Sequence, residues 1–284
     1  MHEMTTKRLF VLTLLAMMAF AGNSLLCRLA LKDTRIDAAT FTSVRILSGA
    51  LVLWLISRMR GNVRSGSGNW FSAVALFAYA AGFSFAYVSL PAGAGALLLF
   101  GAVQATMIGY GLWAGERLRT RQAAGFLCAL GGLVGLLLPG VSAPPLLGSA
   151  LMLGAGIAWG VYSLRGRSAG EPTLTTAKNF RLAAPLAIAL SVAMAPWFSL
   201  DGAGFFYAVM SGALASGVGY AVWYTALRGL RATHAAIVQL SVPVIAAAGG
   251  ILFLGEHLRL RLLIASSAIL GGIAMVILDK PASK

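Results

Sequence analysis

Acidic residues are scarce in this chain. Eight Asp and Glu stand against 22 Lys and Arg in 284 residues, and charged residues of both signs make up only 11%. A soluble domain carries about 25%. With 59% hydrophobic residues and a mean hydropathy of +0.84, the chain has too little polar surface to dissolve in water and reads as an integral membrane protein. The eight acids, Glu3, Asp33, Asp37, Glu116, Glu171, Asp201, Glu256 and Asp279, all fall in loops or at the ends of apolar runs. No pair of carboxylates is therefore available for acid–base chemistry within an apolar run. The three histidines, His2, His234 and His257, show no ligand spacing, and no Cys/His cluster suggests a metal. Cys27 and Cys128 lie in apolar runs and read as buried free thiols, not as a disulfide framework. No phosphate-binding glycine loop is present, which argues against ATP hydrolysis. The sequence gives no support for an enzyme, and no cofactor is expected. The net charge of +14 sits in short loops, the pattern that orients membrane helices and not one that binds nucleic acid.

Long apolar runs are abundant. Spanning a bilayer takes roughly 20 apolar residues, and runs of about that length occur at 9–29, 39–57, 70–90, 94–114, 122–139, 146–164, 180–198, 203–226, 234–254 and 261–278. The first resembles a signal peptide, with Lys7 and Arg8 before it and Ala19-Phe20-Ala21 near its end, but its apolar stretch continues to Leu31, so it is expected to be retained. The seventh is interrupted near its start by Arg181 and Pro185.

The chain also repeats itself. Gly115-Glu116-Arg117-Leu118 returns 140 residues later as Gly255-Glu256-His257-Leu258, and Leu130-Gly131-Gly132 returns as Leu270-Gly271-Gly272. Two repeats, 1–140 and 141–284, then hold five apolar runs each. Because five is odd, the halves must enter the membrane in opposite senses, the construction of many secondary transporters. With the N-terminus inside, Arg58, Arg60, Arg64, Arg117, Arg119 and Arg121 join the basic residues of the inner segments, while the outer loops keep only Arg28, Lys32, Arg35, Arg259 and Arg261. Both termini are therefore expected to be cytoplasmic.

Ten helices, two five-helix repeats and a Gly-Glu-x-Leu turn before the last helix of each half resemble the drug/metabolite transporter superfamily, in its EamA-type branch. Val44-Arg45-Ile46-Leu47-Ser48-Gly49-Ala50 fits that family's Arg-led segment, and Arg181-Leu182-Ala183-Ala184 is its echo. Within the family the chain is most similar to the aromatic amino-acid exporters. It keeps Ala158-Trp159-Gly160 in the sixth helix but has Ala21-Gly22-Asn23 in the first, without the tryptophan common there. The resemblance implies a central cavity lined by helices one, three, four, six, eight and nine, a multi-pass location in a bacterial inner membrane, and outward transport.

Polar and aromatic residues recur at helical spacing on those same six runs: Asn23 and Ser24; Tyr79, Phe83 and Tyr87; Phe100 and Gln104; Trp159, Tyr162 and Ser163; Tyr220, Trp223 and Tyr224; and Gln239, four residues before Pro243. The carbonyl of Gln239 would be left free by that proline. Tyr79 and Phe83 lie roughly 14–20 Å into their helix, too deep for an interfacial aromatic belt. With no intramembrane carboxylate, His234 is the remaining candidate proton carrier, and an exchanger or facilitator is favoured over a proton-coupled carrier. Arg45 and Arg181 read either as snorkelling side chains or as fixed cations that hold a carboxylate or close a gate. The expected substrate is a small amphipathic metabolite, an amino acid with aromatic ones favoured; the other expected partner is the lipid bilayer around the protein, no nucleic acid is expected, and oligomeric state is left open, a monomer included. A nucleotide-sugar or lipophilic-drug carrier of the same fold is the first alternative, and a non-transporting scaffold or sensor subunit the second.

Overall fold

The computed structural model describes residues 6–59, 68–115, 117–140, 143–166, 171–227, 229–230, 238–257 and 259–278. These residues form helices and no strands. The first half holds α1 (Thr6–Asp33), α2 (Ala38–Met59), α3 (Trp70–Tyr87), α4 (Ala92–Trp113) and α5 (Thr120–Leu137). The second holds α6 (Leu146–Gly166), α7 (Pro172–Ala193), α8 (Gly202–Leu227), α9 (Ser241–Leu254) and α10 (Leu260–Leu278). Eight of these are long and apolar enough to cross a membrane, and α9 is apolar but has only 14 residues. Large apolar side chains such as Trp113, Leu146, Leu252 and Phe253 stand exposed on the outside. This is the build of a polytopic membrane protein, in which backbone groups must bond within each segment.

Three of the acids at run ends serve as helix caps. Asp37 accepts from the amides of Ala39 and Thr40 at the start of α2, Glu171 from Leu174 in α7, and Asp201 from Gly204 in α8. Each cap is worth about 1 kcal/mol and anchors a helix end at the bundle rim. The structure corrects the start of α7, which is eight residues earlier than the apolar count placed it. Its first turns are polar, but Thr173, Thr176 and Asn179 are buried against the bundle, and apolar counting cannot see that. Arg181 is consequently the tenth residue of a 22-residue helix and not near its end.

Successive helices alternate in direction. One end of the bundle, here the Glu256 end, gathers the last turns of α1, α3 and α9 and the first turn of α4. The other, the Asn69 end, gathers the start of α3, the end of α6 and the start of α7. Small residues set how closely helices approach. Gly156 and Gly160 of α6 lie on α4: a Cβ at Gly156 would stand 2.6 Å from the Leu99 carbonyl, and one at Gly160 2.8 Å from Thr106. This contact turns Trp159 and Ser163 toward the bundle centre. At the periphery α5 packs on α10 through Gly125, Gly132 and Gly272. Gly131 and Gly135 of α5 have nothing within 4 Å of a Cβ. The same peripheral placement leaves Cys128 exposed, against the expectation of burial, while Cys27 is buried.

The repeated Gly-Glu turn acquires a structural reason. Gly115 and Gly255 follow α4 and α9 with φ of +93° and +61°, left-handed values that glycine adopts without strain. Glu116 lies outside the described residues. Glu256 reaches across the bundle, where both carboxylate oxygens accept from the amide of Ala92, 2.9 Å away, at the start of α4.

Candidate functional site: a central aromatic cavity

A cavity of about 360 Å³ lies at the centre of the bundle. It is lined from α1 by Phe20, Asn23 and Ser24, from α3 by Tyr79 and Phe83, from α4 by Phe100 and Gln104 among others, from α6 by Trp159 and Ser163, from α8 by Ser216, Tyr220, Trp223 and Tyr224, and by Gln239 just before α9. Twelve of the residues picked out by their spacing thus meet around one space. Pro243 sits in the first turn of α9, where it costs no hydrogen bond, so the helix restarts after Gln239 instead of continuing with a broken bond.

Trp159 is the centre of the aromatic wall. Its ring stacks on Tyr220 at 5.3 Å between centroids and on Tyr162 at 5.3 Å, and lies 4.8 Å from Tyr79. Phe20, which the sequence reading passed over, meets Tyr220 and Trp223 edge-on at 5.9 Å each. The polar groups form a chain across four helices. Ser211 donates to Asn23 Oδ1 at 2.6 Å, Asn23 faces the Tyr79 hydroxyl at 3.5 Å, and Arg45 Nη2 donates to that hydroxyl at 2.9 Å. Arg45 Nε reaches Ser216 Oγ at 3.4 Å.

Arg45 does not snorkel. It is 2% exposed, and its guanidinium lies over the rings of Phe83 and Tyr79, 4.7 and 5.1 Å from their centroids. Arg181, its sequence echo, is exposed on α7 and lines neither cavity described here. Ser211 and Ser216 were missed because they lie five apart, about 140° around an α-helix. Here Met210–Val218 is π-helical, and its i→i+5 pitch brings both serines to the same polar chain. The clustered Ser-Gly pairs, Ser211-Gly212 and Ser216-Gly217, were the available signal.

Two predicted residues take other places. Tyr87 is fully buried beneath Phe83, ring centroids 4.7 Å apart, and its hydroxyl donates to the Ala92 carbonyl at 3.3 Å, so it packs the α3–α4 turn and does not line the cavity. Tyr162 faces a second cavity of about 750 Å³ with Asn69, Ser72, Arg165, Thr175 and Asn179. Gly166 and Tyr224 line both spaces, so the central cavity adjoins this polar one at the Asn69 end. His234 lies outside the described residues.

The Glu256 end is tied shut. Arg28 Nη1 donates to the carbonyls of Tyr87 and Val88 at 2.9 and 3.0 Å, and Arg28 Nε stands 3.6 Å from Glu256. Lys32 Nζ donates to the Leu254 carbonyl at 3.0 Å. Four helices, α1, α3, α4 and α9, are linked by these contacts. Among the described residues no group of three His, Cys, Asp or Glu side chains is placed to hold a metal.

The family model for EamA-like transporters matches residues 146–278, the whole of α6 to α10. The chain is also 57% identical over 275 residues to the uncharacterized protein PA1977 of Pseudomonas aeruginosa, with 96% of each chain covered. The second half of the chain, α6 to α10, is thus similar to EamA-like transporters. The chain is similar in fold to a solved crystal structure, with a TM-score of 0.66 and 21% identity, covering 94% of this chain and 98% of that one. The matched family is one of transporters.

Proposed function

We propose that this protein is a ten-helix secondary transporter of the bacterial inner membrane, which exports amino acids, aromatic ones above all, by alternating access around the central cavity. The observation that carries the reading is the cavity itself. Its volume of about 360 Å³ falls within the roughly 300–1,000 Å³ of small-molecule sites. Its wall offers aromatic faces for stacking, and Asn23, Gln104, Gln239 and the tyrosine hydroxyls provide polar partners for the ends of a zwitterion. A nucleotide-sugar would need several cations around its phosphates, and Arg45 is the one beside this cavity among the described residues.

Two inverted repeats, 1–140 and 141–284, account for the helix packing. Exchanging each helix for the one five places later maps α3 on α6 to α8 on α1, α4 on α6 to α9 on α1, and α2 on α8 to α7 on α3. The pairs α2–α7, α4–α9 and α5–α10 map onto themselves. With both termini cytoplasmic, the polar cavity at the Asn69 end opens inward and the Arg28–Glu256 ties close the outside. Location in an inner membrane is supported by the Pseudomonas relative.

The site assignment is tested by counterflow in proteoliposomes. Trp159→Leu removes the stacking hub and Gln104→Ala an amide, and each is expected to slow phenylalanine exchange at least tenfold while leaving expression and melting temperature close to the parent. Exchange at parental rates in both variants would place the substrate elsewhere.

A further inference from the structure

Arg45 is a permanent cation with unfinished bonding. Its guanidinium is buried at 2% exposure, deep in a membrane bundle. Nη2 is bonded to Tyr79 and Nε weakly to Ser216, but Nη1 has no hydrogen-bond partner. No carboxylate stands beside it among the described residues: Asp37, Glu171 and Asp201 cap helices, and Glu256 is held by Arg28 and Ala92 at the bundle end. The faces of Tyr79 and Phe83 offset part of the desolvation cost. They do not supply the acceptors that a buried charge requires. The side chains that hydrogen-bond to the guanidinium or lie beneath it, Tyr79, Phe83 and Ser216, also line the central cavity. The unsatisfied cation therefore stands directly behind the substrate wall, and an ionisable group in the membrane is by default functional.

We infer that Arg45 is the anchor for a carboxylate on the substrate, and that the cavity selects aromatic monocarboxylates by this anion while tolerating the loss of their ammonium group. This inference rests on the central cavity being the substrate site. The carboxylate enters between Tyr79 and Ser216 and takes Nη1 together with a second N–H of the fork, the two-bond geometry that guanidinium and carboxylate share. The aromatic body of the substrate then lies toward Trp159 and Tyr220. The opposite end of the substrate meets a different environment. An ammonium group finds only neutral acceptors there, Asn23 Oδ1, the amides of Gln104 and Gln239, and tyrosine oxygens, because no lining residue is acidic. Neutral acceptors replace water for an ammonium without rewarding its charge, so removing the ammonium costs little. Removing the carboxylate leaves Nη1 unpaired and sets an ammonium-bearing ligand against Arg45.

Trp159 and Trp223 line the cavity and report its occupancy through their fluorescence. The detergent-purified full chain is titrated with L-phenylalanine, 3-phenylpropionate and 2-phenylethylamine. The two carboxylates are expected to quench with affinities within about threefold of each other, and the amine to bind at least tenfold more weakly. Arg45→Gln is expected to weaken both carboxylates roughly 10–100-fold, the range for losing bonds to a charged group, and to leave the amine unchanged or improved. Arg45→Lys is expected to fall between, since it keeps the charge but not the fork. Tyr79→Phe, which keeps the packing, serves if Arg45→Gln does not fold; it frees Nη2 and should leave carboxylate preference intact. An amine that binds as well as the carboxylates, a preference for the amine in Tyr79→Phe, or carboxylate affinity unmoved in Arg45→Gln would overturn the inference. Carboxylate binding through Arg45 together with no amino-acid exchange in vesicles would uphold the anchor and defeat the transport reading instead. Exchange of phenylalanine with no dependence on Arg45 would do the reverse.

Discussion

Gly212 has no side chain because Arg45 leaves no room for one. A Cβ there would collide with the Arg45 carbonyl and the Ser48 hydroxyl, both of which are fixed within α2. Gly212→Ala is expected to cost about 1–3 kcal/mol, the range for overpacking a rigid contact, and to lower the melting temperature by several degrees. Gly22→Ala, at a glycine with open space around it, should melt like the parent. Equal melting of both variants would show that α2 and α8 can part more easily than the packing suggests. At this scale the sequence was informative where side chains follow helical spacing. Tyr79, Phe83, Trp159 and Tyr220 could be placed because their periods match an α-helix. Phe20 and Ser216 could not, since an isolated aromatic in an apolar run and a serine on a π-helical turn leave no periodic mark. For Arg45 snorkelling was the favoured reading over a fixed inward cation, because distance from a helix end says nothing about which neighbours surround it.

Among the elements, the Gly-Glu turn after α9 shows how a motif visible in sequence conceals its partner. Its repetition was legible, but its use, a carboxylate capping α4 164 residues away and pairing with Arg28 of α1, depends on contacts between residues far apart in sequence. Glu256→Ala removes the acceptor for Ala92 and the partner of Arg28. With a single cysteine introduced at Phe100, this variant is expected to label several-fold faster than its Glu256 parent with an impermeant thiol reagent added from the Glu256 side. Unchanged labelling would mean that Lys32 and the Arg28–carbonyl bonds close this end without Glu256. The α5–α10 pair gives a second contrast. Gly272→Leu should destabilise, because a Cβ there would meet the amide of Ala129 at 2.7 Å and its methyl at 3.0 Å. Gly131→Leu should be close to neutral. A thermal melt of each in detergent decides it, and equal loss in both would remove close glycine packing as the reason for this interface. The start of α7 was illegible for a related cause. Its threonines and Asn179 are buried by neighbours that hydropathy does not see.

The whole molecule was the most legible level. Scarce acids, ten apolar runs and a repeat of half the chain length imply a helical membrane protein, and the resemblance carried by the Gly-Glu-x-Leu turns implies the EamA-type branch. The polar cavity at the Asn69 end was not foreseen. It assembles from the ends of α3, α4, α6 and α7, where Asn69, Tyr110, Arg165 and Thr175 each look like an ordinary rim residue in sequence. It adjoins the aromatic cavity at Gly166 and Tyr224, whereas the cavity of about 400 Å³ beside Glu256 shares no lining residue with the aromatic one. No carboxylate lies within the described helices near the aromatic cavity, so exchange should not depend on a proton gradient. The most direct measurement is counterflow in proteoliposomes preloaded with each of the twenty amino acids in turn, with and without a pH gradient. Selective exchange of phenylalanine, tyrosine or tryptophan, at the same rate with and without the gradient, is the predicted result. Exchange that appears only with the gradient, or none with any amino acid, would contradict the account.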